Sequence, residues 1–273
     1  MSIFDKIESF YAQFKGEKGV IGYSLLKRPI YYFKVEKTKN PVVIIQYSIH
    51  AREHVTSFLA LKQIKDFIKN GRVGSVYFLP MTNPDGVFIA LNEKPLYKAN
   101  GRGVDLNVNF DARWGLGEKN VKIQGDENFI GEKPFSEPES LALKEFTLKI
   151  KPSATISYHS KGEEIYWEFH QRGKRRMRDE MLANALAKTT GYKIKSTPNS
   201  CGGYKDWCVE KLKIPALTIE VGSDELLHPL GKECVKEIYE KNKRVVNCIT
   251  EFLTNGKKIY EMRNKASAKS TNL

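Results

Sequence analysis

Four short apolar runs, separated by segments with helical periodicity, constrain the fold more than any other feature of the sequence. The runs are residues 42–48, 74–80, 153–158 and 215–221. Runs of this length that are rich in β-branched residues are typical of strands buried on both faces. The segments with apolar residues at helical spacing are 55–69, 137–150, 178–190 and 232–253. This alternation predicts an α/β fold: a mostly parallel mixed sheet covered by helices on both faces.

The domain organisation is predicted from the composition, which does not change sharply at any point along the chain. No Pro/Gly/Ser-rich linker divides the 273 residues, so we expect a single domain over residues 1–273. Residues 1–40 are predicted to be an N-terminal extension that opens with a short amphipathic helix, and residues from about 257 to 273 a polar tail. For the helix over residues 137–150, Ser136 is the expected N-cap and Glu139 would complete a capping box.

Polar residues follow the predicted strands at the points where the strands end. His50 lies two positions after the first strand, residues 83–86 (NPDG) follow the second, and His159 directly follows the third. Glu220 lies near the end of the fourth. Because ligands bind at the carboxyl ends of strands in open α/β sheets, we expect a functional site at this edge.

The residue types at these strand ends are those of a catalytic metal site. His50 and Glu53 are three residues apart, a spacing that brings both side chains to one side of a tight turn. A catalytic zinc site uses three protein ligands and a water, and His159 supplies a distant third ligand. His54 is a rival ligand. Glu220, inside an apolar strand, is either a buried ion-paired carboxylate or a general base.

Taken together, these motifs resemble those of the zinc carboxypeptidase family, with its carboxypeptidase A-like or funnelin fold. They comprise His50-x-x-Glu53, residues 83–86, residues 103–107 (GVDLN), His159 and residues 218–220 (TIE), in the order of the family and spanning about 45–225. The resemblance implies a zinc metallopeptidase of the metallocarboxypeptidase type. One zinc ion would be held by His50, Glu53 and His159, with Glu220 as general base and acid.

The same resemblance implies roles for residues outside the metal site. Tyr204 matches the mobile tyrosine that contacts the substrate, and Asn107 matches a substrate-binding residue. Arg102 is the candidate for the arginine that stabilises the oxyanion, with Lys98 as its rival. The chemistry requires only a fixed positive charge near the developing oxyanion.

One position departs from the family pattern. Members of the family carry Asn-Arg after the Gly-x-Asp-Leu element, whereas valine follows Asn107 here, at Val108. Valine cannot donate the paired hydrogen bonds of a carboxylate clamp. We therefore expect another cation, Arg113 or one in residues 172–176 (RGKRR), to replace the arginine, or the substrate to present a different group. A non-catalytic protein that binds wall peptides is a further alternative.

Three stretches are similar to one branch of the family, the bacterial γ-D-glutamyl-meso-diaminopimelate peptidases. They are residues 157–162 (SYHSKG), 165–167 (IYW) and 197–207 (TPNSCGGYKDW). The resemblance implies hydrolysis of an amide bond in a peptidoglycan-derived muropeptide. The alternative within the family is a carboxypeptidase for ordinary L-peptides.

The charge of the chain indicates an anionic partner. The formal net charge is +13, which suits a peptide with several carboxylates and would also suit nucleic acid. No helix-turn-helix, zinc-finger or RNP-type motif is present, so we expect no nucleic-acid partner. Four scattered cysteines, no signal peptide and no apolar run long enough to cross a bilayer predict a cytoplasmic protein without a membrane partner.

Overall fold

A computed structural model of the chain describes residues 1–197 and 199–256 and contains one eight-stranded mixed sheet. The strands are β1 (Lys18–Tyr23), β2 (Pro29–Glu36), β3 (Val42–Tyr47), β4 (Ser75–Leu79), β5 (Ala154–His159), β6 (Glu164–Tyr166), β7 (Lys193–Lys195) and β8 (Ala216–Glu220). Their order across the sheet is β1-β2-β4-β3-β5-β8-β6-β7. The pairs β3–β4, β3–β5, β5–β8 and β6–β7 are parallel, and the other pairs are antiparallel. The predicted mostly parallel mixed sheet is therefore confirmed.

Helices cover both faces of this sheet. They are α1 (Ile3–Gln13), α2 (Val55–Asn70), α3 (Pro84–Asn92), α4 (Pro138–Ile150), α5 (Gly173–Thr190), α6 (Tyr204–Trp207) and α7 (Val235–Asn242), and residues 245–256 are also helical. On one face, Val43 and Ile45 pack with side chains of α1, α2, α5 and α7. On the other face, Ile44 packs with α4 and α6. No helix in the described part of the chain is both long and apolar enough to cross a bilayer.

The register of the central strands places the predicted site residues at one edge. The parallel strands β3, β5 and β8 run side by side, with Tyr47 paired to Tyr158 and His159 paired to Glu220. His50 follows β3 by three positions. The carboxyl ends of the three strands thus bring His50, His159 and Glu220 together, as expected for an α/β sheet.

Three details of the sequence-based prediction are corrected by the structure. Residues 18–36, predicted to lie in an extension, form β1 and β2 and pair into the sheet through β4. The N-cap of α4 is Glu137, and Ser136 donates its hydroxyl to Glu137, so no capping box with Glu139 forms. The helix expected over residues 232–253 is interrupted after Asn242. The predicted polar tail, residues 257–273, lies outside the described residues.

Candidate metal centre

Three buried side chains converge at the carboxyl ends of β3 and β5. The Nδ1 atom of His50 lies 2.8 Å from Oε1 of Glu53, and the Nδ1 atom of His159 lies 2.9 Å from Oε2. The two Nδ1 atoms are 3.0 Å apart. Two ring nitrogens directed at the same carboxylate, and at each other, form a convergent nitrogen and oxygen donor set that fits zinc. Among the described residues, His54 is not part of such a group.

Local chain geometry explains how His50 and Glu53 reach one point. Residues Ala51–Glu53 form a single 3-10 turn between β3 and α2, so side chains three positions apart lie on the same side. His159 is the last residue of β5 and is 1% exposed. The predicted ligands are therefore placed by a turn and by two adjacent strands.

A second carboxylate orients the first imidazole. The Nε2–H of His50 donates to Oδ1 of Asp105 at 3.2 Å, which leaves Nδ1 free to face the centre. A carboxylate behind a ligand histidine fixes the ring and raises its basicity. Asp105 lies inside the Gly-Val-Asp-Leu-Asn element, and the presence of a carboxylate in that element is the signal that could have identified it from sequence.

The charged groups around Asp105 and Glu53 keep both carboxylates ionised. Burial acts to raise the pKa of Asp105, but Lys98 and His50 together hold it well below its usual range. Burial likewise acts to raise the pKa of Glu53, and the two imidazoles hold it well below its usual range. Both carboxylates are thus negative at neutral pH, as a cation site requires.

Glu220 lies beside this centre at the wall of a cleft. The cleft has a volume of about 510 Å³ and is lined by residues that include His50, Lys98, Asp105, Tyr166 and Glu220. Burial raises the pKa of Glu220 to about 8, with His159 opposing the shift. A bound divalent cation would also oppose this shift. Glu220 thus lies on the strand adjacent to His159, with its side chain at the cleft.

Lys98, the predicted rival of Arg102 as the cation for the oxyanion, lines the cleft, whereas Arg102 is not among the lining residues. The guanidinium of Arg102 lies toward Glu137, at 3.7 Å, and its side chain is 48% exposed. The ammonium of Lys98 lies 2.7 Å from Oδ2 of Asp105 and lines the cleft. Lys98 therefore provides the fixed positive charge near the metal centre.

Tyr204 lies in the core rather than at the cleft. It is 0% exposed, its hydroxyl lies 2.9 Å from that of Thr147, and its ring packs near Phe110 and Trp207. In this conformation the Tyr204 ring is enclosed in the core and does not line the cleft, so its contact with substrate stays a prediction. The tyrosine that lines the cleft is Tyr166, whose hydroxyl donates to Glu164.

The two remaining predicted substrate-binding residues are separated by the structure. Asn107 lines the cleft, and its side-chain oxygen accepts the backbone N–H of Tyr204 at 3.1 Å. Arg113 lies outside the cleft, in a neighbouring depression, with its Nε 3.4 Å from Glu210. Arg113 is therefore not among the residues that line the cleft in this conformation. Lys205 and Asp206 also line the cleft, and no role was predicted for either from the sequence.

A buried set of two histidines and one glutamate, beside a second glutamate at a cleft, defines the site of a metal-dependent hydrolase. The sequence pattern of the zinc carboxypeptidase family matches residues 16–245, and the chain belongs to this family. The fold agrees: bovine thrombin-activatable fibrinolysis inhibitor, solved with tick carboxypeptidase inhibitor, superposes with a TM-score of 0.83 at 24% identity, covering 93% of this chain and 96% of that one.

Two curated relatives are bacterial proteins. γ-D-Glutamyl-L-diamino acid endopeptidase 1 of Lysinibacillus sphaericus is 27% identical over 259 residues, covering 82% of this chain and 64% of that protein. Murein peptide amidase A of Escherichia coli strain K12 is 30% identical over 221 residues, covering 75% of this chain and 82% of that protein. The chain thus spans somewhat less than two thirds of the Lysinibacillus relative.

Proposed function

We propose that the protein is a zinc peptidase that hydrolyses the γ-D-glutamyl-meso-diaminopimelate bond in peptides derived from peptidoglycan. The observation that carries the proposal is the convergence of His50, Glu53 and His159 next to Glu220 on the adjacent strand. The substrate class is supported by the names of the two bacterial relatives and by the valine at position 108.

In this proposal His50, Glu53 and His159 hold the metal. A bound zinc ion supplies Lewis-acid polarisation of the scissile carbonyl and makes water more acidic. The carboxylate of Glu220 takes a proton from the attacking water and delivers it to the departing amine. The ammonium of Lys98 faces the negative charge that develops on the carbonyl oxygen, and Asp105 holds both Lys98 and His50 in place.

The direct test combines metal content with turnover. Glu220→Gln removes the base without removing a ligand, so we expect zinc content near one ion per chain and a loss of kcat of about 100-fold or more. Removal of the metal with a chelator should abolish hydrolysis, and added zinc should restore it. Glu163→Gln, which alters a glutamate paired with Lys241 away from the cleft, is the matched control and should keep wild-type turnover.

The substrate is identified by comparing two peptides. L-Ala-γ-D-Glu-meso-diaminopimelate should be cleaved, with L-Ala-D-Glu and diaminopimelate as products by mass. A benzyloxycarbonyl dipeptide with a free L-carboxyl end should be a poor substrate, because Val108 cannot clamp that carboxylate. Efficient cleavage of the dipeptide would indicate an ordinary carboxypeptidase, and zinc binding without cleavage of either peptide would indicate a non-catalytic protein.

A cytoplasmic location and the absence of a nucleic-acid partner belong to the same proposal. The four cysteines are free thiols, which suits a reducing compartment. Cell fractionation tests the location. A duplex-binding titration at two salt concentrations tests the partner, since salt-dependent binding at physiological ionic strength would contradict the proposal.

A further inference from the structure

The wall of the cleft contains an ion pair that the proposed mechanism does not use. The Nζ atom of Lys205 lies 2.5 Å from Oδ1 of Asp206 and donates to the carbonyl oxygen of Glu168 at 2.9 Å. Lys205 is 7% exposed and Asp206 is 2% exposed, yet both line the same cleft as His50 and Glu220. The pair is therefore enclosed by protein and still open to a ligand in the cleft.

This pair lies on the part of the wall that also carries Val108. Residues 202–203 pack against the 107–108 segment: a Cβ added at Gly202, where φ is +86°, would lie 2.8 Å from the carbonyl oxygen of Val108. A Cβ at Gly203 would lie 3.0 Å from Oδ2 of Asp206. The wall therefore carries, in order, Val108, Gly203 and Asp206. The ion pair of Lys205 and Asp206 lies near Val108, the position at which family members carry an arginine.

The other lysines of the cleft are less suited to bind an anion there. Lys98 is already paired with Asp105 at the metal end, and Lys119 is exposed on a loop. Lys205 is the buried lysine of the wall beside Val108. In a partly desolvated position a charge-assisted hydrogen bond to a ligand carboxylate is stronger than at the surface.

Stability alone does not account for the pair. A buried ion pair contributes little net stability relative to well-packed apolar side chains, because desolvation of both charges offsets their attraction. Asp206 has one structural contact, since its Oδ2 accepts the N–H of Gly203 at 3.1 Å. An asparagine could make that contact as well. The Lys205 ammonium donates to the Glu168 carbonyl oxygen, a bond that a neutral donor could also make, so neither contact requires two opposite charges.

We infer that Lys205 and Asp206 bind the two charges of an amino-acid zwitterion carried on the side chain of the substrate residue that enters this part of the cleft. The inference rests on the proposed function, in which that residue is meso-diaminopimelate. Its distal carbon bears both an ammonium and a carboxylate. The ammonium would pair with Asp206 and the carboxylate with Lys205, in place of the contact between the two side chains. Lysine is the same side chain without the carboxylate, so the pair would distinguish the two.

The experiment compares three peptides that differ only at the distal carbon. They are L-Ala-γ-D-Glu linked to meso-diaminopimelate, to L-lysine, which lacks the carboxylate, and to 2-aminopimelate, which lacks the ammonium. With the wild-type enzyme, we expect kcat/KM for the diaminopimelate peptide to exceed that for each of the other two by roughly 10- to 100-fold. The ratio of two kcat/KM values does not depend on the concentration of active enzyme.

Variants of Lys205 and Asp206 test which side chain contacts the carboxylate and which contacts the ammonium of the substrate. Lys205→Met should reduce the preference for diaminopimelate over lysine to near unity, and Asp206→Asn should do the same for diaminopimelate over 2-aminopimelate. Lys149→Met, which alters an exposed lysine of α4 outside the cleft, is the control and should keep both ratios. Because a variant that folds poorly lowers all three rates together, the ratios remain informative. Unchanged ratios in both variants would overturn the inference.

A binding measurement separates the inference from catalysis. In the Glu220→Gln background, calorimetry with the diaminopimelate peptide should show affinity that falls by roughly tenfold or more when Lys205→Met is added. If the wild-type enzyme cleaves the diaminopimelate and lysine peptides equally, the inference fails and the proposed function stands. If it cleaves none of the three peptides, the proposed function itself fails.

Discussion

Lys98, Asp105 and His50 form a continuous chain of charge contacts that ends at the metal ligands. The contacts are 2.7 Å between Lys98 and Asp105 and 3.2 Å between Asp105 and His50. One carboxylate thereby fixes both the cation and the ligand imidazole. The motif around residues 101–107 identified this region from sequence, but it gave no information on side-chain direction, and Arg102 turned out to face Glu137 instead.

At Tyr204, the burial of the ring leads to a prediction opposite to the one from resemblance. Tyr204→Phe removes a hydroxyl that lies 2.9 Å from the Thr147 hydroxyl inside the core. We expect a loss of unfolding free energy of about 1 kcal/mol, because Thr147 keeps its bond to the Leu143 carbonyl oxygen. The value of kcat/KM should stay within about twofold of wild type. Urea unfolding and peptide hydrolysis on the same preparation measure both.

Tyr166 supplies the comparison for that experiment. Its ring lines the cleft two residues from Glu164, which is paired across the sheet to Glu220. Tyr166→Phe should affect hydrolysis more than unfolding. If Tyr204→Phe reduces kcat/KM by tenfold or more while its stability is unchanged, then the tyrosine leaves the core during turnover and the placement argued above is wrong.

At the scale of elements, helix α4 is joined to the β1–β2 hairpin through a buried carboxylate. Oε1 of Glu139 accepts the N–H of Leu25 at 3.1 Å, and Oε2 accepts from Asn100 at 3.2 Å. Burial raises the pKa of Glu139 to about 7. The folded chain therefore binds this proton more tightly than the unfolded chain, in which the pKa is about 4.3.

The consequence is a loss of stability as the pH rises. The contribution of Glu139 is most favourable below about pH 4.3 and is lost progressively up to about pH 7, by at most about 4 kcal/mol. Glu139→Gln keeps an oxygen for Leu25 and removes the titration. We expect it to flatten the unfolding free energy between pH 5 and pH 8, as measured by urea denaturation.

An exposed glutamate on the same helix is the control for this titration. Glu145→Gln should leave the dependence of the unfolding free energy on pH unchanged, because Glu145 is in contact with solvent. If Glu139→Gln has the same slope between pH 5 and pH 8 as the wild type, the carboxyl ionises normally in the folded chain and the hairpin junction is more hydrated than its burial indicates.

The elements that the sequence predicted well are those whose pattern reflects burial on both faces. The strand over residues 42–48 and its neighbours are rich in apolar, β-branched residues, the composition typical of strands buried on both faces. Strands β1 and β2 were missed because β1 lies at the edge of the sheet and its pattern is only partly buried. Their position depends on distant partners such as Phe78, which a local pattern does not contain.

At the scale of the whole molecule, the positive charge is a property of the surface rather than of the cleft. Of the residues in the chain, 45 are Lys or Arg and 32 are Asp or Glu. The cleft itself has a mixed lining, in which Lys98, Lys119 and Lys205 lie among Asp105, Glu118, Asp206 and Glu220. Attraction of an anionic peptide therefore comes from the summed field, and the contacts in the cleft decide which peptide is retained.

Ionic strength separates these two contributions. Added salt screens the summed field over about 8 Å at 0.15 M, whereas the buried pair of Lys205 and Asp206 is screened much less. We expect kcat/KM for the diaminopimelate peptide to fall by roughly tenfold between low salt and 0.5 M sodium chloride. The factor by which Lys205→Met lowers kcat/KM for this same peptide should change by less than about threefold, because wild type and variant meet nearly the same summed field. Loss of that factor in salt would show that Lys205 acts through the exposed field and not through a contact in the cleft.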